Sequence, residues 1–309
     1  MTLPRCPRCG FSYAWDGYNC THCHLPIPTR ASWASFASLV RFDYAHPNRD
    51  ERKAVLLACA FVRRVAHLLP PGRTNALDIL DLAEGFADGG KAVVAEKLRA
   101  LGTNAADPGA ATVSQNDAGS RAVLAAVHVG RMCANGPDAG LHHVAANARA
   151  AVAWAAFPER AWATFPLPPA LEHLRSRLTA RPSHNEMRNH YNVDPEMFAA
   201  VQELNRASGT LEMTRRDRDR DEESAQCRLY REVFGYPFAA VEFDAAWRTS
   251  SALGLVRQMY GTRDFAAMPI LADALQEAGC DDAEILDHCR GETEHVRGCW
   301  VADMVLNKS

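Results

Sequence analysis

Beyond its first 28 residues the chain repeats one pattern: apolar positions every three or four residues, interrupted by short breaks of proline, glycine or charge. "NRDERKAVLLACAFVRRVAHLLP" sets Val55, Ala58, Val62, Val65 and Leu69 on one helical face. Asn48 or Asp50 serves as cap and Pro70-Pro71 as stop. A second helix, capped by Thr74 or Asn75, buries Leu77, Leu80, Leu82 and Phe86 and ends at Gly89-Gly90, and "KAVVAEKLRALG" gives a third. "GSRAVLAAVHVGRMCANG" and "GLHHVAANARAAVAWAAFPERAWATF" are rich in alanine, whose small side chain lets helices approach closely. "PPALEHLRSRLTARP" and "DPEMFAAVQELNRASG" continue the pattern, the latter capped by Asp194. Near the end, a helix from Asp264 runs through Leu271 and Leu275 to Gly279, a second from Ala283 to Cys289, and a third over "HVRGCWVADMVL". The nearest approach to a strand signal in this body is "YPFAAVEF", read as extended loop. The expected fold is mainly α, a multi-helix bundle or irregular α-solenoid with a small N-terminal zinc-ribbon hairpin.

The breaks divide the chain into a ribbon over 1–28, a connector over 29–49, a helical domain over 50–213, a charged linker over 214–224 and a C-terminal helical module over 225–309. "TRRDRDRDEES" reads as linker or helix start because its charges alternate in sign and nearly cancel. A 48% hydrophobic content provides for a packed core, and a net charge of -3 gives no overall field to hold a polyanion. The longest apolar run, 54–62, is too short to span a membrane, and the start of the chain lacks the apolar core of a signal peptide. Ten cysteines without an export signal imply thiols and metal ligands in a reducing cytoplasm.

"CPRCGFSYAWDGYNCTHC" carries two C-x-x-C pairs, Cys6 with Cys9 and Cys20 with Cys23. Two such knuckles complete a tetrahedral thiolate shell for Zn2+, and a closed shell leaves no position for water, so the ion is structural. Arg5 and Arg8, with Tyr13, Trp15 and Tyr18, sketch a nucleic-acid footprint, while the same aromatics also suit the ribbon's own small core. His142-His143 cannot easily share a metal, because adjacent helical residues point about 100° apart; one partly buried and one exposed histidine is the expectation. "SHNEMRNHY" lacks the H-E-x-x-H spacing of a zinc protease, and phosphate-loop, dinucleotide and G-x-S-x-G motifs are missing.

The segment "YREVFGYPFAAVEFDAAWRTSSALGLVRQMYGTRDFAAMPILADALQEAGCDDAEILDHCRGETEHVRGCWVADMVLNKS" resembles the closing module of a large paralogous family of uncharacterised bacterial proteins. "DERKAVLLACAFVRRVAHLLPPGRTNALDILDLAEGFADG" and the alanine-tryptophan helix near 150–165 are similar to its upstream parts. The N-terminal ribbon departs from the usual layout, as does a first helix that keeps only Cys59 of a cysteine cluster. The resemblance implies a shared helical module and no activity. Within it, His295 and Cys299 are four apart, as two ligands on one helical face would be, and Cys280 and His288 flank the preceding helix. These four match the family pattern and form a candidate second zinc set, with Cys289 as a spare. The other reading is a packed core, since free cysteine is among the most buried residue types. A thiol enzyme can also be drawn, with Cys299 as nucleophile, His288 or His295 as base and Asp281 or Asp282 as orienter. The expected function is a non-enzymatic zinc-binding helical protein with a protein partner; the rivals are a nucleic-acid-binding regulator and that thiol enzyme.

Overall fold

In the computed structural model, residues 50–71, 75–89, 97, 117–135, 140–156, 169, 195–236 and 241–308 are described. The four-cysteine ribbon, with Cys6, Cys9, Cys20 and Cys23, lies outside them, as do the connector and the third and "PPALEHLRSRLTARP" helices apart from Lys97 and Pro169. The described residues are 78% helical, with nine α-helices and no strand. None of these helices is long and apolar enough to cross a membrane.

Helix α1, Glu51–Arg64, is the rod on which the first core is built. Asp50 caps it, its carboxylate accepting from the Lys53 backbone N–H at 3.2 Å. Nine consecutive residues, Ala54 to Val62, are buried, so the helix is covered on every side. Its covers are α2 (Asn75–Ala87), α3 (Ala118–Asn135), α4 (Leu141–Ala156) and α5 (Pro195–Phe234). Ala122, Ala125 and Ala126 on α3 and Ala148 and Ala151 on α4 join the same core; such small side chains permit the close approach of these two helices.

Helix α5 runs through 214–224, so the expected linker is helix instead. Its charges pair along the helix face, Glu212 with Arg215 and Arg216, and Asp217 with Arg220. Below them Ala225 is buried, and Cys227, Leu229 and Val233 enter the first core.

The second core is made by four short helices, α6 (Ser250–Thr262), α7 (Met268–Glu277), α8 (Ala283–Arg290) and α9 (Trp300–Leu306). The end of the chain turns helical only from Trp300, five residues later than the sequence predicts, because Gly298 takes φ +95° and interrupts the run. Ion pairs stitch the two cores together. Glu84 of α2, with 3% of its side chain exposed, accepts from Arg63, Arg263 and Arg297 at 2.7, 2.9 and 2.9 Å. Asp303 receives both Nη atoms of Arg52, at 2.6 and 3.0 Å, and the hydroxyl of Tyr260. Such desolvated pairs carry charge only because each has a partner.

Candidate metal centre

Four side chains that neither core can bury as hydrocarbon meet where α5 ends against the second core. They are Glu232, His288, His295 and Cys299, and one donor atom from each lies within 4.8 Å of the other three. His288 Nε2 is 3.3 Å from Cys299 Sγ and 3.3 Å from Glu232 Oε2, and His295 Nδ1 is 2.9 Å from Glu232 Oε1. Donors about 2.0–2.3 Å from a tetrahedral ion stand roughly 3.3–3.7 Å from one another; the two contacts of His288 have that spacing, whereas the 2.9 Å His295–Glu232 contact is a direct hydrogen bond that an ion would have to open.

Each donor arrives for a local reason. Glu232 lies three residues after Leu229 and seven after Ala225, on the buried face of α5. His288 sits in the last turn of α8, whose start is fixed by Asp282 accepting from the Glu284 and Ile285 N–H groups. His295 and Cys299 share a turn rather than the helical face expected of them. Cys299 N–H donates to the Val296 carbonyl at 2.9 Å and Gly298 N–H to the Tyr260 hydroxyl at 2.9 Å. At Gly298 an added Cβ would meet two Leu56 atoms at 3.2 Å and would also have to tolerate φ +95°. Only glycine brings Cys299 back to the centre there.

The loop from 294 to 299 is fastened on three sides. Glu294 pairs with Arg64 of α1 at 2.5 Å, His295 with Glu232 of α5, and Arg297 with Glu84 and Asp88 at 2.9 and 2.6 Å.

Burial alone would raise the Glu232 carboxyl, but the hydrogen-bonding and charge of His288 and His295 outweigh it and hold it down to about 2. It is therefore a carboxylate at neutral pH although nearly enclosed. Cys299 is fully buried, and that burial, with the Glu232 charge beside it, pushes its thiol well above 9.0. A thiol raised in this way becomes a thiolate only when a cation is supplied. One atom points to such a cation: His295 Nε2 is buried without a hydrogen-bond partner, while Glu232 Oε2 has only the 3.3 Å approach of His288 Nε2. The four residues could hold a metal ion.

Three of the four residues proposed from the sequence thus come together, and the fourth does not. Cys280 instead closes the end of α7, its N–H donating to the Leu275 carbonyl at 2.9 Å after Gly279, and its side chain belongs to the second core. Glu232 stands in the set without it. Cys289, the spare, is also core, its thiol pushed up to about 12 by burial. Asp282 is committed to its cap, so neither it nor Asp281 joins the Cys299–His288 contact. His142 and His143 are both exposed; their rings lie tilted against one another, and His143 stacks with His128.

Compared with protein-family models, with curated proteins and with solved structures, the chain matches none.

Proposed function

We propose that this is a non-enzymatic, zinc-binding helical protein whose C-terminal module is fastened to α5 by a structural ion on Glu232, His288, His295 and Cys299, so that its helices offer a fixed surface to a protein partner. The observation that carries it is the convergence of four donors of mixed O, N and S type on one buried point. A thiolate and two imidazoles favour zinc over hard cations such as Mg2+ or Ca2+, which prefer all-oxygen shells. Four protein donors fill a tetrahedron, which suits a structural ion better than a catalytic one. With the four N-terminal cysteines binding a second Zn2+, the chain would carry two ions.

The contact of His288 Nε2 with Cys299 Sγ favours the thiol-enzyme reading. The complete burial of Cys299 and its raised thiol oppose it, since a nucleophilic thiolate needs access and a lowered pKa. The nucleic-acid reading rests on Arg5, Arg8, Tyr13 and Trp15 of the ribbon.

Metal content of the purified full chain, by mass spectrometry, tests the centre. Cys299→Ser and the shape-preserving Glu232→Gln are each expected to lower the zinc-to-protein ratio by about one relative to wild type. Equal ratios in all three proteins would remove the C-terminal ion.

A further inference from the structure

The hydrogen bond from Trp300 to His288 has the wrong polarity for a metal-bound histidine. Trp300 Nε1–H donates to His288 Nδ1 at 3.1 Å. An indole nitrogen can only donate, so Nδ1 must present its lone pair and the ring proton of neutral His288 sits on Nε2. Nε2 is the nitrogen that faces Cys299 Sγ and Glu232 Oε2, where the ion would lie. A metal there takes the Nε2 lone pair, and the neutral ring must then carry its proton on Nδ1. Two N–H donors would face each other across 3.1 Å.

We propose, resting on the zinc reading above, that Trp300 is a positioning residue that holds His288 in the tautomer a metal must displace, and so weakens metal binding while making the indole move when the ion enters. Protons balance: His288 gives up one at Nε2 and gains one at Nδ1, and a cysteine that ligates as thiolate releases one proton to solvent per ion bound.

The surroundings leave the indole little slack. It lies on the bare backbone of Gly235, where an added Cβ would stand 3.2 Å from Trp300 Cγ and where φ is +63°. Its ring centroid is 4.9 Å from that of His288. Metal entry therefore breaks a formed hydrogen bond at a close-packed point instead of gaining the usual outer support, in which a ligating histidine donates its second N–H to an acceptor.

Trp300→Phe keeps a flat ring over Gly235 and removes the donor, together with part of the fused ring. Competition for zinc against a chromophoric chelator, read at the site that Cys299→Ser abolishes, is expected to show the variant binding roughly two- to tenfold tighter than wild type, the worth of one ordinary hydrogen bond. Equal or weaker binding would overturn the proposal, because a merely supporting wall loses affinity when trimmed. If circular dichroism shows that Trp300→Phe does not fold, the wild-type chain decides. In 15N spectra, zinc loading should shift the Trp300 indole N–H and turn His288 Nδ1 from a pyridine-like to a pyrrole-like nitrogen. An unchanged Nδ1 in the loaded protein would overturn it. A zinc ratio that does not fall in Cys299→Ser would instead sink the centre itself, whereas a ratio that falls with affinity unmoved by Trp300→Phe sinks only the role given to Trp300.

Discussion

The two cores solve the same problem with different means. The first is built from helices of 13 to 18 residues and the buried end of a 40-residue one, packed on a rod with nine successive buried residues. Its helices are long enough for hydrocarbon contact to define them. The second uses helices of 13, 10, 8 and 7 residues. Pieces this short are marginal on their own and depend on caps and cross-links. Thr249 and Asp282 supply the caps, Arg263 and Asn307 end α6 and α9 in the left-handed conformation, and Glu232, His288, His295 and Cys299 gather where a cross-link is most useful. The comparison teaches that polar chemistry concentrates where apolar packing is thinnest.

If this contrast is right, damage to the two regions should differ in kind. The largest effect is expected from Phe61→Ala at the centre of α1, where Phe61 is completely buried. It should cost about 3–5 kcal/mol in urea unfolding, and by the same amount whether or not a chelator is present. Next comes Gly298→Ala, which forces a Cβ against Leu56 and a side chain into φ +95°. A loss of about 1–3 kcal/mol is expected, and because Cys299 is displaced, zinc affinity should fall with it, as calorimetric titration would read.

The smallest effect is a change in pH dependence. Burial, then the charges of Arg131, His143 and His142, lower His128 from 6.5 to about 4. Between those values the unfolded chain binds the proton that the folded chain refuses, so stability is full above 6.5 and is lost as pH falls toward 4. His128→Gln should flatten that part of the curve of urea midpoint against pH, and an unchanged slope would show that His128 stays solvated.

The first core was largely legible in the sequence, since its period of three to four residues and its capping residues, Asp50 among them, are local signals. Residues 214–224 misled because alternating charge reads the same in a linker as on a solvated helix face; the ion pairs of Glu212 and Asp217 and the apolar residues from Ala225 onward decide for helix. At the centre, His288, His295 and Cys299 stood out by residue type. Glu232 did not, because a glutamate in a helix is commonplace; the available signal was its position on the same face as Leu229 and Ala225. Cys280 was misplaced because spacing along the chain cannot say which way a thiol turns after Gly279. The turn at Gly298 was hidden by apolar Trp300, Val301 and Met304, whose helical spacing extended the expected helix too far back.

In the proposed function, one ion joins α5 to the C-terminal module. Anomalous diffraction at the zinc absorption edge, from crystals of the full chain grown with zinc, tests it most directly. A peak about 2.0–2.3 Å from Glu232, His288, His295 and Cys299 together is expected. Zinc elsewhere in the crystal, with none at this point and His295 still hydrogen-bonded directly to Glu232, would contradict it.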